Sequence, residues 1–158
     1  MKQIFLLAAI AGLVIAGCKK TDSAVACTAK EPATEKDSIV AFITAKSIPA
    51  VKDASGLYYQ IINAGTGATP TATSNVRVQY TGRLLDGTIF DSNNTLSGAS
   101  FNLSGVIQGW TLGIPLIKSG GKIRLIIPSK YGYGCTGSGS TIPANSILDF
   151  DVTVLAVY

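Results

Sequence analysis

Three stretches of the chain gather the side chains able to hold a substrate. They are YTGRLLDGTIFDS (80–92), FNLSGVIQGW (101–110) and IPSKYGYG (127–134), the last followed by Ile142 and by LDFDV (148–152). Aromatic and branched aliphatic residues dominate them. Polar groups are interspersed among them, including the phenols Tyr80 and Tyr133 and the carboxylate Asp91. Such a set can wrap an apolar group and offer it a few hydrogen bonds. The chain contains no histidine, so Ser/His/Asp and Cys/His nucleophile systems and His-ligated metal sites are excluded. Two cysteines beyond residue 18, with no histidine, do not make a zinc site. No cofactor is called for.

The elements that position these residues follow from periodicity. Val76, Val78 and Tyr80 alternate with Arg77 and Gln79, as a half-buried strand requires. Ile123, Leu125 and Ile127 alternate in the same way. So do Leu148, Phe150, Val152 and Val154, which puts Asp149 on the outward face. Residues 57–62 are rich in aromatic and β-branched types. Asp86-Gly87 marks a tight turn between Leu84-Leu85 and Ile89-Phe90. These strands describe an antiparallel sheet with one wet face. The helical candidate within this stretch is Trp110 to about Ile117, opened by Gly109 and kept short by Gly113 and Pro115. A short helix against a curved sheet is an α+β half-barrel.

Ahead of the sheet, residues 35–48 place Ile39, Phe42 and Ile43 at helical spacing. Asp37 or Ser38 is a candidate cap and Pro49 a stop. The stripe is expected to pack on its own domain rather than on a second copy. Residues 19–34 are small and polar and read as a flexible tether. The chain of 158 residues is long enough for one domain with a real core, plus a tail. Charged residues make up 14% and apolar residues 47%, which excludes a disordered acidic chain and a long coiled coil.

The first residues read as a targeting signal. An apolar run from Ile4 to Gly17 follows Lys2; it has the size of a secretory signal core and is short for a membrane span. It ends in VIAG before Cys18, which resembles the lipobox of bacterial lipoproteins. That resemblance implies cleavage before Cys18, a lipid on its sulfur and anchoring in the cell envelope. Lys19 stands where Asp would favour inner-membrane retention, so the expectation is the outer membrane, facing the periplasm. The expected organisation is a signal peptide (1–17), a tether (18–34), an N-terminal helix and linker (35–54) and one domain (55–158). From Cys18 the chain carries 13 − 1 = 12 basic and 9 acidic residues, a formal +3, with no basic cluster interleaved with aromatics; nucleic acid is not an expected partner.

In their order and spacing, YTG…DG…FDS, VI-x-GW and YGYG resemble the FK506-binding protein (FKBP) family of peptidyl-prolyl isomerases. The resemblance covers about residues 55–158. It implies an FKBP-like half-barrel, a curved antiparallel sheet wrapped on one short helix, here with an N-terminal helix added. It implies cis-trans isomerisation of Xaa-Pro bonds in exported polypeptides and allows FK506-like macrolides as ligands. A chaperone or binding module with little turnover is the alternative.

By the same resemblance, Tyr80, Phe90, Asp91 and Tyr133 would be catalytic. Val106, Ile107, Trp110, Ile142, Phe150 and Phe101 would bind substrate. Trp110 would be the floor, and Phe90, Phe150, Val106 and Ile142 the walls. The Ile107 amide and the Tyr133 hydroxyl would bond ligand carbonyls. Asp91 would sit at the rim, oriented by Tyr80 or a backbone amide, and not act as a base. Phe101 is either a wall residue or the sheet position beside one. Gln108 departs from the family's usual Pro or Arg, and the loop after Tyr133 is richer in Gly and Ser than usual. Cys27 and Cys135 remain as free thiols, the commoner state, or pair in the oxidising compartment that export implies.

Overall fold

A computed structural model describes residues 27–158. The expected signal peptide, the lipidation site Cys18 and the first part of the tether lie outside the described residues. The sheet is built from β1 (Val51–Lys52), β2 (Tyr58–Asn63), β3 (Asn75–Leu84), β4 (Ile89–Asn93), β5 (Ala99–Asn102), β6 (Lys122–Ile127) and β7 (Leu148–Val157). The strand order is β1-β2-β6-β7-β3-β4, with β5 also on β3, and every pair is antiparallel. The long strands β3 and β7 form the spine. Val76, Val78, Val152, Val154 and Leu148 are fully buried on its inner face, as their alternation demands.

The helix that fills the concave face is α2 (Gln108–Gly113), continued by a 3-10 turn, Ile114–Leu116. It lies close against β6. A Cβ at Gly109 would overlap Ile127, and one at Gly113 would come within 2.5 Å of Leu125 Cδ2. The two glycines therefore let the helix backbone approach the sheet; α2 starts at Gln108 rather than Trp110, and Pro115 falls within the 3-10 turn that carries the helical path to Leu116. The Asp86-Gly87 turn forms as read: Gly87 has φ +95°, and Leu84 accepts from the Gly87 amide at 3.0 Å.

The outer face is drier than the expectation of one wet side. Helix α1 (Lys36–Ala45) lays Ile39 on Tyr58 and Ile126, with Ile48 completing a second buried cluster. The expected Asp37 or Ser38 cap is not used. A 3-10 turn, Pro32–Glu35, runs straight into α1, and no side chain caps it. Asp149 does face outward, yet it is only 2% exposed. Arg124 holds it with two bonds, Nε to Oδ1 at 2.8 Å and Nη2 to Oδ2 at 2.7 Å, and Arg83 reaches Asp151 beside it at 2.8 Å. The bond to Asp149 raises the Arg124 pKa above its ordinary value. The two-residue β1 and the four-residue β5 carry too little alternation to be read from sequence.

The expected tether does not run free as far as residue 34. Cys27 and Cys135 are joined in a disulfide with their Cα atoms 5.6 Å apart, so of the two states left open by the sequence the paired one is observed, not the commoner free thiols. Glu31 takes two bonds of 2.8 Å from Lys130, and the buried Glu35 accepts the Ser129 amide at 2.7 Å. These contacts hold residues 27–35 against the segment after β6, which brings the two sulfurs together. Among the described residues no helix is long and apolar enough to cross a membrane.

Candidate active site

The sheet, α2 and the loop after β6 enclose a cavity of about 280 Å³. Its floor is Trp110, carried on α2. The indole meets Tyr80 of β3, Phe101 of β5 and Phe150 of β7 edge to face, at centroid distances of 5.2, 5.5 and 5.3 Å. Such contacts fix ring orientation beyond what area burial alone would do. Trp110 is 4% exposed and still lines the cavity, so the floor is open to a ligand rather than sealed. Phe90 packs edge-on against Phe150 at 5.4 Å to form a wall.

Phe90 and Asp91 are consecutive, and both line the cavity. In a regular strand they would point to opposite faces. The β3–β4 ladder pairs Gly82 with Asp91 and then Arg83 with Ile89, leaving Phe90 as an extra residue. That β-bulge re-aims the pair, a use bulges often have beside sites. Gly82, directly opposite Asp91, makes room for the two rings. A Cβ there would stand 2.5 Å from Phe150 Cε1 and 2.7 Å from Phe90 Cε2.

The Tyr80 hydroxyl donates to Asp91 Oδ2 at 2.7 Å. Burial, then the bond and charge of Asp91, pushes the Tyr80 pKa up to about 12. Burial, then the Asp91 charge, also raises that of Tyr133. Both phenols therefore stay protonated and able to donate across the physiological range. Ile107 immediately precedes α2, and its carbonyl accepts from the Trp110 amide at 2.9 Å. Its own amide is at a helix start, where N–H groups have no intrahelical partner. The indole Nε1 is also buried without a hydrogen-bond partner among the described residues.

Of the residues named from sequence, Tyr80, Phe90, Asp91, Phe101, Val106, Ile107, Trp110, Tyr133 and Phe150 all line this one cavity. Phe101 is thus a wall residue. Ile142 is not in the lining: it is buried in the main core at 5% exposure, its backbone paired with Ser138. Gly105 lines the cavity, and Gly82 shapes it; neither was singled out from sequence. A glycine inside a strand pattern is the signal that finds Gly82; Gly105 carries none. With one carboxylate and no histidine or cysteine, the lining does not suit a metal ion. It suits an apolar ring with a carbonyl on either side.

A family model described as FKBP-type peptidyl-prolyl cis-trans isomerase matches residues 67–155. The chain belongs to that family. Over 104 residues it is 52% identical to the FKBP-type peptidyl-prolyl cis-trans isomerase FkpA of Aeromonas hydrophila, covering 65% of this chain and 38% of that protein. A probable FKBP-type isomerase of Haemophilus influenzae is 42% identical over 153 residues, which is 96% of this chain and 61% of the relative. The chain thus spans roughly two-fifths to three-fifths of the length of these relatives. Among solved structures, an isomerase of Pseudomonas syringae matches with TM-score 0.68 and 35% identity, covering 82% of this chain and 96% of its own. FkpA of Escherichia coli matches with TM-score 0.70 and 42% identity, covering 80% and 59%. The aromatic cavity lies within an FKBP-type domain, and every residue lining it falls inside the matched range.

Proposed function

We propose that this FKBP-type chain catalyses cis-trans isomerisation of Xaa-Pro bonds in exported polypeptides. The observation that carries the reading is the open cavity over Trp110, ringed by Phe90, Phe101 and Phe150 and bordered by the Tyr80–Asp91 pair. The uncatalysed barrier is about 18–20 kcal/mol, because amide resonance must be broken. No proton transfer is needed, so a site without a base is adequate. Twisting the amide reduces charge separation along C–N. An apolar cup therefore favours the twisted form over the planar one, while the Ile107 amide and Tyr133 hydroxyl hold the flanking carbonyls. A 10⁴-fold acceleration asks for about 5.5 kcal/mol of differential binding. Asp91 Oδ2 accepts from the Tyr80 hydroxyl, which orients the carboxylate at the rim; the reaction asks no basic role of it.

A protease-coupled assay on a Xaa-Pro peptide tests this. The wild-type chain accelerates isomerisation, and Phe90→Ala or Asp91→Ala reduces kcat/KM strongly. A flat rate for the folded wild type contradicts the proposal. In that case, suppression of client aggregation by the same protein, retained in Asp91→Ala, points to a binding module instead.

The cavity's shape and acceptor-seeking donors support FK506-like macrolides as ligands, read by quenching of Trp110 emission. The place of action rests on the sequence: the apolar run before Cys18 supports a lipid-anchored protein of the cell envelope, in the outer membrane and facing the periplasm. The anchor is tested by mass spectrometry of the mature N-terminus, and Cys18→Ser releases the protein from the membrane fraction. The Cys27–Cys135 disulfide fits an oxidising compartment.

A further inference from the structure

Gly105 is exposed and lines the aromatic cavity. It ends the 3-10 turn Leu103–Gly105, which leads from β5 to Val106 and Ile107, both also in the lining. A Cβ at Gly105 would meet no atom within 4 Å, and its φ lies outside the left-handed region. Among the described residues it is alone in this. Every other glycine either has a positive φ or would bring a Cβ within 3.0 Å of a neighbour.

Backbone shape and packing therefore give no reason for glycine at 105. Glycine loses more conformational freedom on folding than any other residue, so an alanine here would serve the fold better. What the missing side chain does supply is bare backbone on the cavity wall. Phe101 and Val106, both partly buried and both in the lining, flank it along the chain.

A polypeptide that seats a proline ring on Trp110 must carry its neighbouring residues out over the rim. The Ile107 amide is the donor that holds a carbonyl beside the proline. Gly105 is two residues ahead of Ile107, so their Cα atoms are at most about 7.6 Å apart, roughly the span of two extended substrate residues. The flanking residue on that side crosses the rim beside Gly105.

We propose that Gly105 sets the steric specificity of this site. Its bare backbone is a notch in the wall that admits a bulky side chain next to the proline, and any side chain at 105 narrows it. The inference rests on the isomerase reading and adds the feature that the site selects: a large residue on the Ile107 side of the proline.

The test is exchange NMR, which reads cis-trans interconversion directly and does not depend on a protease's own preference. The full chain is given subsaturating proline peptides in which the residue before the proline, or the one after it, is alanine or leucine. Each position then has a leucine-to-alanine rate ratio. Gly105→Ala should raise Tm by about 2–4 °C and lower the ratio about threefold at one of the two positions. Gly105→Leu should lower it at least tenfold at that same position; if that variant does not fold, the ratio in Gly105→Ala decides. Unchanged ratios, falls of equal size at both positions, or a Gly105→Ala chain that melts several degrees below wild type would overturn the proposal. A wild type that accelerates none of the peptides contradicts the isomerase reading instead, and the leucine-to-alanine ratio is then read from peptide affinities by Trp110 emission.

Discussion

Replacing Gly82 by alanine is the sharpest probe of how the aromatic cavity is built. The new Cβ would lie 2.5 Å from Phe150 Cε1 and 2.7 Å from both Phe90 Cε2 and Cζ. Carbon atoms rest at about 3.5–4.0 Å, so each ring must retreat by roughly 1 Å or the strand must shift by as much. Neither ring can retreat freely. Phe150 is 3% exposed and packed on Trp110 at 5.3 Å, and Phe90 is packed on Phe150 at 5.4 Å. Overpacking of this size costs about 1–3 kcal/mol of stability, a fall in Tm of about 4 °C per kcal/mol for a domain of this size.

The catalytic effect should exceed the stability effect, because both rings are walls of the site. Misplacing groups by 1 Å in a preorganised site costs about 10²-fold, equivalent to about 2.7 kcal/mol in the barrier. Gly82→Ala should therefore stay folded, melt lower and lose about a hundredfold in kcat/KM in the protease-coupled assay. Trimming one wall in the same background, as in Gly82→Ala with Phe90→Leu, should recover stability but not activity. A folded Gly82→Ala with kcat/KM within threefold of wild type would refute the argument that this glycine sets the walls.

Other outcomes follow from single contacts. Tyr80→Phe removes the donor to Asp91 and should lower kcat/KM by roughly ten- to a hundredfold, in line with a charge-assisted bond of about 1.5–3 kcal/mol, with little change in fold. Because the folded-state pKa of Tyr80 is raised from 10.0 to about 12, its contribution to stability is complete below pH 10 and is lost as pH rises toward 12. Denaturation midpoints in wild type should fall across that window, and Tyr80→Phe should show a shallower fall; Tyr58, Tyr133 and Lys130, also raised, contribute to what remains. The Cys27–Cys135 bond closes a separation of 108 residues. In the chain-entropy model that is worth about 4.8 kcal/mol, so Cys27→Ser with Cys135→Ser should lower unfolding stability by about 2–5 kcal/mol, read by urea denaturation with and without reductant. Asp149→Ala strands the Arg124 guanidinium and should cost about 3 kcal/mol, whereas replacing both partners by apolar residues should cost much less.

The inner face of the sheet was legible because its strands obey a period of two, and Val76, Val78 and Tyr80, like Leu148, Phe150, Val152 and Val154, are buried as that period requires. The aromatic cavity was legible through motifs rather than through periodicity. No alternation rule would place both Phe90 and Asp91 in one cavity; that depends on the bulge opposite Gly82, and a bulge is a property of two strands in register. Ile142 shows the converse. Its hydrophobicity was informative about burial but not about which surface it faces: it is buried in the same cluster as Trp110 and Phe150 and yet is absent from the cavity lining. Asp149 looked like a wet outward residue because a single strand's alternation says nothing about Arg124 on the neighbouring strand. The disulfide joins residues 108 apart in sequence and is set by the docking of residues 27–35, which no local pattern encodes.

The same structure separates what must be rigid from what can vary. Trp110, Phe90, Phe101 and Phe150 each touch another of these rings, and three of the four sit on strands of the sheet. A ring lodged there meets side chains whose positions are fixed by the core, so the cup is organised before any substrate arrives. Tyr133, by contrast, sits on the loop that Cys135 ties to the segment ahead of α1. The Tyr133 ring packs against the main core cluster, and its backbone is held by the disulfide and by the Gly134 amide bonded to the Ser129 carbonyl at 2.8 Å. Loss of the disulfide should therefore act mainly on KM, through a less ordered Tyr133 donor, while kcat, set by the ring cup, changes little. Steady-state kinetics of the doubly substituted Cys27→Ser and Cys135→Ser chain distinguish the cases: an unchanged KM with a collapsed kcat would mean that the loop, not the cup, holds the catalytic geometry.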